Sequence, residues 1–281
     1  MINNGFIIIK FKGRYGNHLF MYFIAKVYAE KNNLKLISSI KNTYFKIKKN
    51  AIDKNFLNKN INKLKKYEIT DKDYNNKTDS LPFYGKGIYI FNGYFQNENF
   101  FYFNKNNILN YVNYEVNKKN ICVLHVRLDD YYYKNKRHLI INHNYYIDCI
   151  KKYCGGYDEI YIICDKLRHN WEKKYMNNLI EKIKLLNKTP IYNKQTIHED
   201  IQYIIDSKCI VTSNSTFCFW ASFFSNAEKI ISFPYTGIDV LPNKKLRMWQ
   251  NNPVIFKYNK DNKFIFNNDF SRNIIDYFEN I

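Results

Sequence analysis

The chain has 281 residues, 46% of them hydrophobic and 18% aromatic, which excludes a disordered segment and gives room for one large domain or two of ordinary size. Its 44 Lys+Arg against 25 Asp+Glu give a formal charge of +19, so its partners are expected among anions: nucleic acid, an anionic membrane surface or a phosphorylated small substrate. No zinc-finger spacing, helix-turn-helix signature or aromatic RNA-binding motif accompanies that charge, which sets nucleic acid aside, and no stretch approaches the ~20 apolar residues that span a bilayer.

The apolar run from Phe6 to Phe11 ends in Lys12-Gly13-Arg14-Tyr15-Gly16-Asn17, after which Phe20, Phe23, Ile24 and Val27 recur at helical spacing. This predicts a strand, a glycine-containing loop and a helix, with the loop able to bring backbone near a ligand beside Arg14, Asn17 and His18; a plain tight turn is the competing reading. Phe6-Ile7-Ile8-Ile9 is too short for a signal-peptide core, and a soluble cytoplasmic protein is expected. Residues 32–80, rich in Lys and Asn, read as irregular or short helical structure. Within them Asp71-Lys72-Asp73 has the spacing with which carboxylates hold Mg²⁺ or Mn²⁺ in sugar-nucleotide enzymes. No convincing buried strand precedes it, so a solvated loop is expected. A strand over 88–91 then leads into Asn92-Gly93-Tyr94-Phe95-Gln96-Asn97-Glu98-Asn99-Phe100.

The polar stretch 113–120 reads as a linker. Beyond it, strands over 121–126, 159–164, 190–192, 209–211 and 229–233 alternate with helices over 144–153, 170–187, 198–207 and after Thr216. Thr196, with Glu199 three positions on, forms a capping box at the third of these. Strands alternating with helices mean βαβ units and a parallel sheet, whose ligand lies beyond the carboxyl ends of the strands. Three of those ends carry unusual chemistry. His125 and Arg127 alternate to one side at the first, Asp165 closes the second, and Thr212-Ser213-Asn214-Ser215-Thr216-Phe217 follows the strand at 209–211. A guanidinium forks onto phosphate oxygens, and a polar turn opening a helix offers backbone N–H groups at the positive end of a dipole, so the set predicts a pyrophosphate clamp. A capped helix and a surface cluster are the plainer readings. Cys122, Cys149, Cys154, Cys164, Cys209 and Cys218 show no C-x-x-C pair and read as small buried residues of a reduced compartment, not as a disulfide framework or metal site.

These blocks resemble a known family. His125-Val126-Arg127-Leu128-Asp129-Asp130-Tyr131 is similar to the His-x-Arg-Arg-Gly-Asp-Tyr motif of the α-1,2-fucosyltransferases of glycosyltransferase family 11. Residues 13–20 resemble Gly-x-x-Gly-Asn-Gln-x-Phe, residues 93–100 resemble Gly-Tyr-Phe-Gln-Ser-Glu-x-Tyr, and residues 213–221 resemble Ser-Asn-Ser-Ser-Phe-Ser-Trp-Trp-Ala, preceded by the pair Glu199-Asp200. The first block also resembles that of the protein O-fucosyltransferases. Leu128 stands in place of the motif's second Arg, Asp129 in place of its Gly, His18 in place of a Gln and Phe219 in place of a Trp.

The resemblance implies an α/β, GT-B-type fold of two Rossmann-like domains with mostly parallel sheets facing a central cleft. The expected division is 1–115 on the acceptor side, 116–262 binding the GDP-sugar, and a C-terminal helix over 263–281. It implies transfer of L-fucose from GDP-fucose to a glycan hydroxyl with inversion, no cofactor and no metal. Expected partners are the GDP-sugar and a glycan acceptor, with peripheral attraction to an anionic membrane and none to nucleic acid. Arg127, Asp130 and His125 are the expected catalytic residues. Arg127 meets charge developing on the departing diphosphate, and Asp130 is the candidate base. Donor contacts are expected from Arg14, Gly16, Asn17, His125, Arg127, Asp165, Asp200, Ser213, Asn214, Ser215, Thr216 and Phe217. Because Leu128 removes a guanidinium, another GDP-sugar, or a degenerate binding protein without turnover, is the alternative; restoring it by Leu128→Arg is expected to preserve activity.

Overall fold

In the computed structural model, residues 5–37, 40, 44–45, 47, 64–74, 80–128, 140–141, 143–192 and 196–232 are described, together with the backbone of 254–258 and 264–265. The chain divides into two compact units, Met1–Tyr114 and Glu115–Ile281, each with its own sheet. The fold is α/β, built on two sheets of mostly parallel strands.

The first unit runs β1 (Gly5–Ile9), α1 (Tyr15–Lys31), β2 (Lys35–Leu36), β3 (Lys66–Ile69), β4 (Gly87–Phe91), α2 (Glu98–Phe103) and α3 (Lys105–Leu109). Its strands lie parallel in the order β2-β1-β4-β3. β1 and β4 approach so closely that a Cβ at Gly5, whose φ is +139°, would stand 1.8 Å from the Gly87 carbonyl oxygen; only glycine fits there. Helix α1 is buried over most of its circumference, with Leu19, Phe20, Met21, Phe23 and Ile24 all inaccessible. It is therefore the spine of the unit rather than a surface helix. Strand β3 was not expected from the sequence. Of Lys66-Tyr67-Glu68-Ile69 only Ile69 is buried, and the strand sits at the sheet edge, where one covered face leaves almost no apolar pattern to read.

The second unit runs β5 (Lys119–Val126), α4 (His143–Tyr153), β6 (Glu159–Cys164), α5 (Asn170–Lys184), β7 (Thr189–Ile191), α6 (Ile197–Asp206), β8 (Ser207–Val211), α7 (Thr216–Phe224), β9 (Lys229–Ser232), β10 (Val254–Tyr258) and β11 (Phe264–Ile265). The sheet order is β11-β10-β9-β8-β5-β6-β7. β5 to β9 are mutually parallel, and β10 and β11 are added antiparallel at one edge. The helix expected over 263–281 lies outside the described residues apart from Phe264–Ile265, which pair with β10.

One face of this sheet forms a core in which Cys122, Leu124 and Val126 of β5 pack with Tyr145, Tyr146 and Ile150 of α4 and Met176, Leu179 and Ile183 of α5. Each such side chain stabilises the fold by roughly 1.5–3 kcal/mol on leaving water. The expected capping box is present: the Glu199 N–H donates to Thr196 Oγ1 at 3.3 Å and the Thr196 N–H to Glu199 Oε2 at 2.7 Å. Among the described residues no helix is long and apolar enough to cross a membrane.

Candidate functional site

In each sheet the chain crosses from one side of its first strand to the other. From β5 the chain adds β6 and β7 on one side, then crosses to add β8 and β9 on the other, so the reversal falls between β5 and β8. In the first unit it falls between β1 and β4. At such a point the connections leave in opposite directions and open a crevice at the carboxyl ends of the strands, where ligands of parallel sheets bind.

The four sequence blocks meet two by two at these reversals. His125, near the end of β5, places Nδ1 2.8 Å from Ser213 Oγ in the turn after β8. Gln96 Nε2, in the loop after β4, donates to Asn17 Oδ1 at 2.7 Å in the first turn of α1 after β1. Gln96 is not among the expected site residues; its place in the Gly-Tyr-Phe-Gln block is the signal in the sequence that marks it.

Around the second reversal the polar groups are unusually enclosed. His125, Thr212, Ser213, Asn214 and Ser215 are all buried, while Thr216 and Phe217, which open α7, are half-buried. Two tyrosines of α4 hold the strand ends in place. Tyr145 Oη donates to the Thr212 carbonyl at 3.0 Å, and Tyr146 Oη to the His125 carbonyl at 3.2 Å. Neither belongs to the four sequence blocks, and both sit among the core side chains of this unit. Ser215 caps α7 without a side-chain hydrogen bond, and no acid stands in the first turn. The N–H groups and dipole there are thus not opposed by a carboxylate of their own helix. Burial, and secondarily the Arg127 charge, lowers the His125 pKa to about 3. The imidazole is therefore neutral at physiological pH and acts as a hydrogen-bonding group.

Arg127, one residue past β5, pairs through Nη1 with Oδ2 of Asp165, one residue past β6. The guanidinium side chain is 11% exposed and the carboxylate 42%, so the acid is the outer member of the pair. Two expected donor contacts are thereby one ion pair. Asp200, in the first turn of α6, carries a pKa raised to about 7 by burial first and the Asp165 charge second. Asp130, the expected base, lies outside the described residues. Leu128, where the family motif has its second Arg, is 1% exposed and belongs to the core beneath the sheet, so Leu128→Arg would place a guanidinium among apolar side chains. That burial runs against the expectation that Leu128→Arg preserves activity.

At the first reversal Arg14 is exposed at the N-cap of α1, Gly16 is buried and Asn17 half-buried. Asp71 and Asp73 follow β3 and are held by their own unit. Asp71 accepts from the Tyr94 N–H at 3.0 Å and the Phe95 N–H at 2.5 Å, while Asp73 accepts from the Thr70 N–H at 2.7 Å in a capping box. The Asp-x-Asp spacing here orders a turn. Phe95, at φ +51°, depends on that support.

No family model and no curated protein sequence matches this chain. A solved structure described as POFUT1 in complex with GDP-fucose is similar to it at 10% identity with a TM-score of 0.48, covering 83% of this chain and 98% of that one.

Proposed function

We propose that this chain is a glycosyltransferase that uses a GDP-sugar, with GDP-fucose as the donor and a glycan hydroxyl as the acceptor. The observation that carries the reading is the pairing of the sequence blocks at the strand-order reversals, above all His125 with Ser213 beside the Arg127–Asp165 ion pair. A diphosphate needs a fixed cation and oriented N–H and O–H donors in a partly dry setting. Arg127, the first turn of α7 and the hydroxyls of Ser213 and Ser215 supply that chemistry.

In this reading Arg127 turns from Asp165 to the β-phosphate, and the exposed carboxylate is released towards solvent or a ribose hydroxyl. Asp200, close to half-protonated near neutrality, both donates and accepts and so suits a purine edge. The acceptor hydroxyl attacks the anomeric carbon from the face opposite the diphosphate and gives its proton to a carboxylate, assigned to Asp130. The bond from sugar to phosphate oxygen breaks, and its electrons stay on GDP, where Arg127 gains most strength in the transition state. The reaction written this way requires no metal, and the α-1,2 linkage is the one implied by the sequence resemblance.

A second reading, transfer from a different GDP-sugar, rests on the sequence alone, whose motif has one guanidinium where the family has two. Calorimetric titration with GDP, GDP-fucose, GDP-mannose and UDP-galactose separates the readings. GDP and GDP-fucose are expected to bind with similar affinity and UDP-galactose not at all. Preference for GDP-mannose establishes the second reading, and absence of any GDP binding refutes both. Tight glycan binding with no GDP released identifies a degenerate binding protein.

A further inference from the structure

At the other end of the second sheet, three cysteines distant in sequence converge. Cys122 on β5 and Cys209 on β8 are register partners on adjacent parallel strands, and Cys154 enters from the connection between α4 and β6. The sulfur of Cys154 lies 3.3 Å from that of Cys122 and 3.8 Å from that of Cys209, and all three ligand atoms fall within 4.8 Å of one another. All three residues are fully buried, and none is in a disulfide. Thiolates around a zinc-like ion at about 2.3 Å stand roughly 3.8–4.0 Å apart, so the observed triangle needs only small movements to enclose one.

The electrostatics of the surroundings fit the same occupant. Lys229 Nζ donates to the Tyr153 carbonyl at 3.1 Å and Lys188 Nζ to the Gly155 carbonyl at 3.0 Å, so an ammonium group is bound to each residue flanking Cys154. Three thiolates around a divalent ion leave one negative charge, which two nearby ammonium groups offset.

We propose that Cys122, Cys154 and Cys209 form a three-thiolate site for one soft closed-shell cation of the zinc, cadmium or cuprous class. The ion ties β5, β8 and the α4–β6 connection together at the amino-terminal side of the sheet. It is structural and takes no part in the transfer reaction, whose groups lie at the carboxyl ends of the same strands. Binding releases the remaining thiol protons to solvent, and because the sulfurs are enclosed, loading accompanies folding.

The test unfolds the full chain in reductant and chelator, refolds it with Zn²⁺, Cd²⁺ or Cu⁺ separately, and measures bound metal per chain after gel filtration. The ultraviolet thiolate-to-cadmium charge-transfer band is recorded alongside. One ion per chain is expected, with a higher melting temperature than the metal-free refolded protein. Cys154→Ala, in a connection rather than a strand, is expected to lose the ion and the band while folding. Cys218→Ala, a buried thiol outside the triangle, is expected to keep both. Natively folded wild-type protein that retains no metal, or that rests with a Cys122–Cys154 disulfide by mass spectrometry, overturns the proposal. Neither readout involves a nucleotide, so this result stands apart from the fate of the proposed function.

Discussion

The two strand-order reversals are closed in the same way and furnished differently. Each is bridged by a side-chain hydrogen bond, from Gln96 in the loop after β4 to Asn17 in the first turn of α1 in the first unit, and between His125 of β5 and Ser213 in the turn after β8 in the second. In the first, the nearby carboxylates are occupied by backbone: Asp71 holds the Tyr94 and Phe95 N–H groups, and Asp73 caps its own turn. In the second, a guanidinium and a carboxylate face each other at the rim, beside a helix whose first turn carries no acid. The first reversal spends its carboxylates on ordering its own turns, whereas the second sets a carboxylate against a guanidinium. A rim ion pair, worth little as a bond, keeps a guanidinium oriented until a better anion arrives.

Four perturbations break or sharpen that contrast, beginning with the largest. Arg127→Ala is expected to lower GDP-sugar turnover by about 10²-fold or more while shifting the melting temperature little, because the loss falls on charge developing in the transition state. Near-normal rates of GDP release would place the cation elsewhere. Leu128→Arg is expected to destabilise the second unit by about 3 kcal/mol or more in urea unfolding, since it buries an unpaired charge; unchanged stability would mean that this position can turn out of the core.

Asp200→Asn tests the pH behaviour. The carboxyl of Asp200 moves from its ordinary 3.8 to about 7 on folding, so the folded chain holds a proton that the unfolded chain has released. Its stabilising contribution is complete below pH 4 and is lost as pH rises towards 7. The substitution is expected to remove that slope and to raise stability at pH 8 by about 1 kcal/mol, a figure discounted for partial exposure. His125, whose pKa is depressed, imposes the opposite slope between about pH 3 and 6.5, so the variant should become monotonically more stable with rising pH across that interval. The smallest effect is expected at the first reversal. Asp71→Ala should cost about 1 kcal/mol through two lost acceptors, and chelator should leave transfer rates unchanged. A chelator-sensitive rate would return the Asp-x-Asp pair to the chemistry.

What could be read from the chain follows from how local each signal is. The alternation of strands and helices after residue 120, the Thr196–Glu199 box and the polar turn after β8 are written within windows of ten or so residues, and all are present. Strand β3 escaped because an edge strand with one buried residue has no period to detect. Which strands adjoin, and hence that His125 meets Ser213, depends on sheet order, which no local window contains. The cysteine triangle is hidden for the same reason: residues 122, 154 and 209 are brought together by strand register and a connection, not by spacing. Leu128 shows the reverse failure. Aligned with a motif it reads as a missing charge, whereas its burial shows a core residue whose neighbours are apolar.

The separation of His125 and Ser213 along the chain, 88 residues, has a consequence for biogenesis. At roughly 5–20 residues per second on the ribosome, β5 emerges several seconds or more before the strand that completes its far side. During that interval an apolar ladder edge is unpaired, while the first unit, encoded entirely upstream, already has every strand of its described sheet. Nascent chains arrested before residue 207 should therefore engage holdase chaperones through the β5 segment, and chains arrested well beyond residue 224 should release them.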